Sequence, residues 1–562
     1  MDPGLDDFFP AGSLRHREDL KLKKHKQILD TAIIGGGVGG LYSAWRLTHA
    51  KEGGVNPGDV HLFEMGSRIG GRLYTVSMPG MPSVNTELGG MRVLSLQKIV
   101  QGVIRKLDIE LEDFPMGGSQ NLAYIRGRRF PVSAYSDPQT VPFDLPPWER
   151  AKSPATLMVE AIEKIVPGVL EAKTEKVRRE MCSKRKIDGI PLRNYGFWSL
   201  LLEKLSIEGY NLALVGGGYN TLLSNWNCAD AIPWYLADFS EDPRNISYKT
   251  PIKGMQEIPE KLCSKFQHKG GHVHMQSELV SFNKSEDHKG LLELTLRDSK
   301  KGTETTWLTR RLVLALPQWA IMKLAQHAPD RTSPVKFFND KTVMSCLDSV
   351  TPRKLYKFAL AYERPWWHML DMMSGHSVTD LPLRQIYYFG TEADQPGANP
   401  KNLNSYIDCS YTDGVSVGYW EGVRKTGPDF LGSENPFIRK GQKSYIPGLQ
   451  VSTQMVKRAC QQLAEVHGIP KLPKPYAAVF KNWADKPYGG GWHTWNIGVN
   501  SSKVMKTVRK PHHDYPVYIC GESYSDSQGW VEGALQTSER MLREHFGLHC
   551  PPWLMGQVDL GS

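Results

Sequence analysis

The 562-residue sequence predicts an α/β protein, α+β over its whole length, built around a dinucleotide-binding motif near the N-terminus. Three observations support this prediction. Residues 31–34 form a short apolar strand, a glycine-rich turn follows at 35–40, and apolar residues recur at helical spacing over 41–47. A second apolar segment at 60–63 ends in an acidic residue. A strand, a glycine turn, a helix and a second strand in this order are typical of nucleotide-binding parallel sheets.

The glycine-rich turn matches the pattern G-x-G-x-x-G at Gly35, Gly37 and Gly40. These glycines allow a tight turn, close approach of the backbone to a pyrophosphate, and close packing of the helix on the strand. The N-terminus of the following helix would present unpaired N–H groups and a partial positive charge to the phosphates. Glu64 follows the second strand, where an acid accepts hydrogen bonds from ribose hydroxyls. The alternative is a packing turn with Glu64 on the surface.

Two further segments distinguish flavin from nicotinamide. Residues 67–72 (SRIGGR) and 87–92 (ELGGMR) resemble the second glycine-arginine segment and the G-x-M-R segment of the flavin amine oxidase family, in its L-amino acid oxidase branch. Gly521-Glu522 and residues 529–534 (GWVEGA) resemble the C-terminal flavin segment of the same family. The resemblance covers about residues 30 to 547, with its motifs in family order, and it implies bound FAD. We expect this FAD to be non-covalent, since strand alternation turns Cys520 away from it.

The resemblance implies interleaved domains. We expect a Rossmann-like, GR2-type FAD-binding domain interleaved with a substrate-binding sheet domain and a helical cap. A proline-rich stretch at 138–154 and helical periodicity after it mark the start of the cap. The predicted segments are an N-terminal arm at 1–29, the FAD-binding domain at 30–130, 251–330 and 471–550, connections at 131–154 and 228–250 with the substrate-binding domain at 331–470, and the helical cap at 155–227.

The resemblance also implies which residues contact the cofactor. Arg72 would lie along the diphosphate, where a planar guanidinium can bind phosphate through two hydrogen bonds. Amides at the helix N-terminus near Val531 would stabilise negative charge on the reduced flavin. The predicted cofactor residues are Gly35, Gly37, Gly40, Glu64, Gly71, Arg72, Gly90, Met91, Arg92, Leu279, Trp483, Trp492, Gly521, Glu522, Gly529, Trp530 and Val531. No metal is expected, because the cysteines show no zinc spacing.

For amino acid oxidation, the family pattern implies three catalytic residues. Arg92 would hold the substrate carboxylate through two parallel hydrogen bonds, and Tyr411 would give a second contact. Lys357 would hold a water molecule beside the flavin, with Lys354 as the competing lysine. A second phosphate contact for Arg92 and a packing role for Tyr411 are the alternatives. The further predicted substrate contacts are Tyr387, Trp530, Gly529, Asp413, Asp230 and Trp234.

Asp413 departs from the family pattern at a position that bears on the substrate. Members that prefer apolar substrates carry an aliphatic residue there, two positions after the carboxylate-binding tyrosine. An acid there, with Asp230 and the aromatic residues Trp234, Tyr419 and Trp420, predicts arginine or lysine as the favoured substrate. The alternative for Asp413 is an aspartate that stabilises a turn.

The function implied by the resemblance is oxidation of an L-amino acid by O2 to the 2-oxo acid, ammonia and hydrogen peroxide. The alternatives are an L-amino acid 2-monooxygenase that forms an amide and carbon dioxide, an oxidase for large neutral or aromatic amino acids, and a non-catalytic flavoprotein. A non-catalytic scaffold would not need Arg92, Tyr411 and Lys357 together.

Composition bounds the partners and the compartment. The net charge is +10, with 40% hydrophobic residues. We interpret the basic segment 15–26 as a solvated arm and expect neither nucleic acid nor membrane as a partner. No apolar run reaches the roughly 18 residues of a membrane span, and the order of a secretory signal is missing. The eight scattered cysteines are typical of reduced thiols, so we expect a cytoplasmic protein. Separately, we expect a homo-oligomer, a dimer or higher.

Overall fold

A computed structural model describes residues 23–50, 52, 55–238, 247–326 and 336–556. Up to position 22, the predicted N-terminal arm lies outside the described residues, and from Lys23 the chain already forms a strand. Within the described ranges, no helix combines the length and the apolar character that crossing a membrane requires.

The strands are numbered in chain order. They are β1 (Lys23–Ile34), β2 (Val60–Phe63), β3 (Thr75–Ser77), β4 (Asn85–Glu87), β5 (Val93–Leu94), β6 (Leu111–Asp113), β7 (Leu122–Ile125), β8 (Arg128–Pro131), β9 (Lys186–Ile187), β10 (Ile190–Pro191), β11 (Tyr248–Pro251), β12 (His272–His274), β13 (Ser277–Lys284), β14 (Leu292–Asp298), β15 (Glu304–Leu314), β16 (Val350–Arg353), β17 (Leu355–Tyr362), β18 (His376–Thr379), β19 (Gln385–Thr391), β20 (Ser405–Asp413), β21 (Ala477–Asn482), β22 (Trp492–Trp495) and β23 (Val517–Ile519).

The α-helices are numbered in the same way. They are α1 (Val38–His49), α2 (Lys98–Lys106), α3 (Pro154–Ile165), α4 (Glu175–Lys184), α5 (Phe197–Lys204), α6 (Ile207–Gly216), α7 (Cys228–Asp238), α8 (Glu257–His268), α9 (Gln318–Gln326), α10 (Lys336–Asn339), α11 (Lys341–Leu347), α12 (Val415–Arg424), α13 (Thr453–His467), α14 (Ser501–Val508) and α15 (Val531–Phe546).

The first large sheet has seven strands, in the order β12-β2-β1-β15-β14-β13, with β23 also paired with β15. Strands β12, β2, β1, β15 and β23 run parallel. Alternate residues of β1 enter different cores: Ile33 packs with helices α1, α8 and α15, whereas Ala32 and Ile34 pack with α9, α11 and α14. Burial on both faces explains why this strand is a continuous apolar run. The predicted α/β class is therefore observed.

The second large sheet also has seven strands, in the order β21-β17-β20-β19-β18-β7-β8. Its membership corrects two predicted boundaries. Strands β7 and β8, at 122–131, and strand β21, at 477–482, belong to this sheet rather than to the FAD-binding segments 30–130 and 471–550. Apolar patterning identifies a strand but does not identify the sheet in which it pairs, so the sequence could not place these strands.

The helical cap is built from α3, α4, α5, α6 and α7 around one apolar core. The end of the cap differs from the prediction. The cap extends beyond 227 through α7, and the basic stretch 173–186 inside it contains helix α4. Pro233 lies inside α7, and an internal proline is a signal that normally argues against a helix. The segment 228–238 is therefore part of the cap and not a connection.

Candidate active site

A cavity of about 1500 Å³ lies among the first large sheet, the second large sheet and the cap. Every predicted cofactor residue except Gly40 lines it, although the chain places these residues between positions 35 and 531. The cavity therefore gathers the separate glycine-rich, arginine and C-terminal segments into one site.

The glycine turn after β1 has the geometry that a phosphate needs. Gly35 has a φ of +107°, and a Cβ built on it would lie 2.5 Å from the carbonyl oxygen of Ala315. A Cβ on Gly40 would lie 2.0 Å from the carbonyl oxygen of Gly35, so Gly40 serves the packing of α1 on the strand. A Cβ on Gly37, by contrast, would meet no atom of the described residues within 4 Å. The open face of Gly37 therefore lets a ligand approach the N-terminus of α1.

This contrast makes a matched pair of substitutions. Gly40→Ala should destabilise the apoprotein by about 2 kcal/mol or more, because the added methyl group overlaps the backbone. Gly37→Ala should leave the melting temperature of the apoprotein unchanged, since its φ of −74° suits alanine, but should weaken FAD binding at least tenfold. Thermal unfolding without FAD and FAD titration measure the two effects. Equal FAD affinity for Gly37→Ala and the wild type would contradict the assignment of this turn.

Glu64 lies at the end of β2 and connects two turns at the cavity edge. Its carboxylate accepts hydrogen bonds from the backbone N–H groups of Gly36 and Gly66, both at 2.7 Å. A carboxylate has about four acceptor positions, so two stay available for ribose hydroxyls. This fixed geometry favours the ribose role over the alternative of a surface glutamate.

Glu522 is a buried carboxylate at the junction between β23 and α15. It forms an ion pair with Arg72 at 2.7 Å and accepts hydrogen bonds from both the backbone N–H and the Nδ1 of His493, at 3.0 and 2.9 Å. The backbone N–H of Gly529 donates to it at 2.7 Å. Burial alone would raise the pKa of Glu522, but Arg72 and His493 hold it well below its usual value. The carboxylate therefore orders Arg72 and the start of the Gly529–Trp530 segment.

The open glycine face, the acid after β2 and the ordered arginine fit the pyrophosphate and ribose of a dinucleotide. Leu279 and Trp483 line the same cavity, from β13 and from the end of β21. The indole of Trp483 is fixed by a 2.7 Å hydrogen bond from its Nε1 to the carbonyl oxygen of Leu88. The backbone N–H groups of the glycine turn and the Arg72 guanidinium are therefore the donors that the FAD pyrophosphate requires.

Arg92 is a buried cation that lines the same cavity. Its guanidinium lies 5.4 to 5.9 Å from the ring centres of Phe114, Tyr248 and Trp530. In the described part of the chain, its Nε has no hydrogen-bond partner. A buried donor without a partner costs free energy that a bound anion can recover. This geometry suits a substrate carboxylate.

Tyr411 lines the cavity close to Arg92, and its ring packs edge-on against Tyr219 at 5.5 Å. Tyr387, predicted to contact substrate, lies behind this surface and does not line the cavity. Its ring packs on Tyr411 at 6.1 Å and stacks on His376 at 4.8 Å, and its hydroxyl donates to Gln385. The structure therefore places Tyr387 as a support for Tyr411.

Lys357 is buried, whereas the competing Lys354 is exposed. The Lys357 ammonium donates to the carbonyl oxygen of Glu87 at 3.0 Å and contacts Met91 Sδ at 3.2 Å. Met91 lines the cavity, and Lys357 lies behind it. The preference for Lys357 over Lys354 agrees with this burial. That Lys357 holds a water molecule beside the flavin stays a prediction.

Asp413 does not face the cavity, which corrects the predicted acidic pocket. Its carboxylate accepts hydrogen bonds from the backbone N–H groups of Asn220 and Thr221 and from the Thr221 hydroxyl. Because β20 ends at Asp413, its side chain meets the cap loop and fixes that loop to the sheet. The alternative reading, an aspartate that stabilises a turn, is therefore closer to what the structure shows.

The other residues predicted to form this acidic pocket do not line the cavity either. Asp230 accepts a 2.7 Å hydrogen bond from the Ser501 hydroxyl and does not line the cavity. Tyr419 and Trp420 lie on α12, with the Trp420 indole donating to the carbonyl oxygen of Pro382. Neither residue lines the cavity, so neither ring can stack on a substrate there.

The cap supplies cavity residues that sequence reasoning missed. Tyr219, Leu222 and Asp238 line the cavity beside Trp234, which was among the predicted substrate contacts. Asp238 follows Trp234 by four positions on α7, so the two share a helix face. Recognising 228–238 as a helix would have identified Asp238 from this spacing.

Trp234 and Asp238 are held in place by direct contacts. The Trp234 indole donates to the carbonyl oxygen of Gln528 at 2.7 Å and stacks on Trp492 at 5.3 Å. Asp238 accepts a hydrogen bond from the Tyr248 hydroxyl at 3.1 Å. Burial raises the pKa of Asp238, and Arg92 acts in the opposite direction. The cavity thus holds the Arg92 cation and the Asp238 carboxyl group close together.

Comparison with known proteins identifies the family of this chain. Residues 38–429 match the family described as flavin containing amine oxidoreductase. The chain belongs to this family. It is an FAD-dependent oxidoreductase, and the predicted resemblance, fold class and FAD cofactor are confirmed.

Several relatives match this family member over nearly its whole length. Aplysianin-A of Aplysia kurodai is 27% identical, covering 94% of this chain and 92% of its own. Achacin of Lissachatina fulica is 23% identical, with coverages of 92% and 93%. The L-amino-acid oxidase BmooLAAO-I of Bothrops moojeni is 22% identical, with coverages of 91% and 88%. A structure of putrescine oxidase bound to putrescine shares the fold, with a TM-score of 0.63 and 15% identity over 93% of this chain and 99% of that one.

Proposed function

We propose that the protein oxidises L-amino acids, using FAD and O2, to the 2-oxo acid, ammonia and hydrogen peroxide. The observation that carries this proposal is the buried Arg92 guanidinium, with an unpartnered Nε, beside Tyr411 and Trp530 in the cofactor cavity. A simple amine has no carboxylate and would leave the Arg92 Nε without an acceptor. The similarity to an L-amino-acid oxidase of Bothrops moojeni supports the same substrate class.

When bound, FAD accepts two electrons from the amino acid and passes them to O2. The residues of the chain bind and orient the substrate. Arg92 holds the carboxylate through charge-assisted hydrogen bonds, and Tyr411 adds a contact from β20. Trp530 and Trp234 form aromatic walls that exclude water and limit the positions of the substrate side chain.

We further propose that arginine and lysine are the favoured substrates, with large neutral amino acids second. Asp238, rather than Asp413, supports this preference, because it is the acid that lines the cavity near Arg92. A substrate bound by its carboxylate to Arg92 can place a side-chain cation near Asp238. Trp234, one helical turn earlier, lines the same cavity, so a guanidinium or ammonium group held there would also meet an aromatic side chain.

Replacement of Asp238 tests this preference. Asp238→Asn should raise KM for arginine and lysine at least tenfold, the equivalent of about 1.4 kcal/mol, and should change KM for leucine little. Asp413→Asn is the control: it should lower stability by loosening the cap loop without changing the ratio of arginine to leucine turnover. An equal loss with both substrates in Asp238→Asn would show that Asp238 supports Arg92 and does not select the side chain.

Product analysis tests the reaction type. The FAD-loaded protein should release one hydrogen peroxide for each 2-oxo acid formed from a panel of common L-amino acids. Formation of an amide and carbon dioxide would identify a 2-monooxygenase. Oxidation of simple amines in preference to amino acids would contradict the role of Arg92.

We also propose a cytoplasmic location and a homo-oligomeric state. The location is supported by the eight cysteines, all of which are free thiols. Light scattering of the purified protein measures the oligomeric state directly, and fractionation of the source cells tests the location.

A further inference from the structure

Lys357 occupies an unusual position for a buried cation. The two groups that it contacts most closely, the Glu87 carbonyl oxygen and Met91 Sδ, are both neutral. Its nearest carboxylate is that of Asp408, with 3.8 Å between Lys357 Nζ and Asp408 Oδ2. The Lys357 ammonium also lies 4.8 Å from the centre of the Tyr411 ring. Lys357 therefore sits directly behind two cavity-lining residues, Met91 and Tyr411.

Asp408, the carboxylate nearest to Lys357, is itself in an unusual environment. It lies on β20 opposite Ala359 of β17 and Tyr387 of β19, and only 3% of it is exposed. Its Oδ1 has no hydrogen-bond partner among the described residues. A buried carboxylate with an unsatisfied oxygen is costly unless a nearby cation compensates for it. Lys357 is the cation placed to do so.

The other groups around Lys357 come from different elements. Glu87, on β4, presents its backbone carbonyl to Lys357, while its carboxyl group accepts hydrogen bonds from the Thr75 hydroxyl and the Met255 N–H. Arg92 is a second cation nearby. Burial lowers the pKa of Lys357, and Asp408 and then Glu87 oppose that effect. Burial raises the pKa of Asp408 to about 6 and that of Glu87 to about 7.

We propose that Asp408 is a positioning residue that keeps Lys357 protonated behind Met91, and that this charge promotes reoxidation of the cofactor by O2. Reoxidation passes two electrons and two protons to O2, which becomes hydrogen peroxide. A fixed positive charge beside the cavity favours the arrival of negative charge on oxygen. The effect on reoxidation rests on the proposed oxidase function, whereas the effect on the charge of Lys357 does not.

The proposal fixes the direction of a pH effect. With Asp408 ionised, Lys357 keeps its proton to higher pH, since an opposite charge favours the charged form. Without that carboxylate, Lys357 should lose its proton at lower pH, and the fast reoxidation should be lost there too. Glu87→Gln should cause a smaller shift, because the backbone carbonyl that Lys357 contacts is retained.

The experiment compares the wild type with Asp408→Asn in FAD-loaded protein. FAD is reduced photochemically, so that no amino acid substrate is needed, and its reoxidation by O2 is followed from acidic to alkaline pH. Asp408→Asn should move the alkaline decline in rate at least one pH unit lower. At a pH between the two alkaline declines, where Lys357 is charged only in the wild type, the substitution should also lower the midpoint potential of bound FAD, which is a readout independent of turnover.

Two further variants decide whether Asp408 acts through Lys357. In a Lys357→Met background, Asp408→Asn should change neither the pH profile nor the potential, and Asp413→Asn should change neither in the wild type. An unshifted profile and potential in Asp408→Asn, or an equal shift in the Lys357→Met background, would overturn the proposal. If Asp408→Asn does not fold, Lys357→Arg provides the test. Arginine stays protonated at alkaline pH, so this variant should lose the alkaline decline in the reoxidation rate. An unchanged decline would overturn the proposal. If the reduced FAD does not react with O2 at any pH, the proposed oxidase function is contradicted. The midpoint potential of FAD would then still test whether Asp408 controls the charge of Lys357.

Discussion

Replacing Arg92 by alanine should abolish turnover of amino acids while FAD content stays normal. The guanidinium is buried and aromatic rings surround it, so a carboxylate bound there gains a charge-assisted contact with little competition from water. Losing one partner of such a buried pair costs about 4 kcal/mol, or roughly 1,000-fold in kcat/KM. Steady-state kinetics with arginine and leucine, together with the flavin spectrum, measure both parts of this prediction.

Arg92→Lys is the matched control for charge. It keeps the positive charge but not the two parallel hydrogen bonds, so it should fall between the wild type and Arg92→Ala. Loss of FAD from Arg92→Ala would identify Arg92 as a cofactor contact, and the assignment of the substrate carboxylate would then be wrong.

Replacing Glu522 by alanine should prevent FAD binding and destabilise the protein. The carboxylate neutralises Arg72, binds the His493 side chain and accepts the backbone N–H groups of His493 and Gly529. Its removal leaves the backbone N–H and the Nδ1 of buried His493 without their acceptor and takes the carboxylate away from Arg72, at a cost of about 3–5 kcal/mol. Thermal unfolding of the apoprotein and FAD content after purification measure the loss.

Glu278→Ala provides a control on the same cavity wall. Glu278 also lines the cavity and pairs with Lys323 at 2.7 Å, but this pair is partly exposed. Its loss should therefore cost less than about 1 kcal/mol. If Glu522→Ala keeps its FAD and unfolds at the same temperature as Glu278→Ala, the junction at Glu522 does not organise the cofactor site.

The cofactor half of the site could be predicted from sequence because local signals determine it. Gly35, Gly37 and Gly40 are constrained by the turn itself, and Glu64 follows a strand at a fixed distance from that turn. The end of β1 was also predicted, since its last residues are apolar and buried on both faces, whereas its start at Lys23 lies inside the segment that was predicted as an arm. These features depend on residues close to one another in the chain, so the pattern alone constrains them.

The substrate half depends on contacts between distant segments. Asp413 has the residue type expected of a side-chain pocket, yet its carboxylate binds amides of a cap loop nearly 200 residues earlier in the chain. Asp238 was overlooked because an internal proline obscured the helix that carries it. Lys357 was recognised, but its partner Asp408, on a neighbouring strand, becomes apparent only when β17 and β20 pair. Side-chain direction at the end of a strand is set by what packs there, which the sequence pattern does not show.

Anaerobic titration of the FAD-loaded protein tests the central claim most directly. Without O2, a substrate that donates two electrons reduces the flavin and bleaches its yellow colour, whatever the later fate of the products. We predict bleaching by L-arginine or L-lysine in the wild type, no bleaching by the D-enantiomers, and none in Arg92→Ala. A flavin that none of the common L-amino acids bleaches, or that a simple amine bleaches equally in the wild type and in Arg92→Ala, would contradict the account.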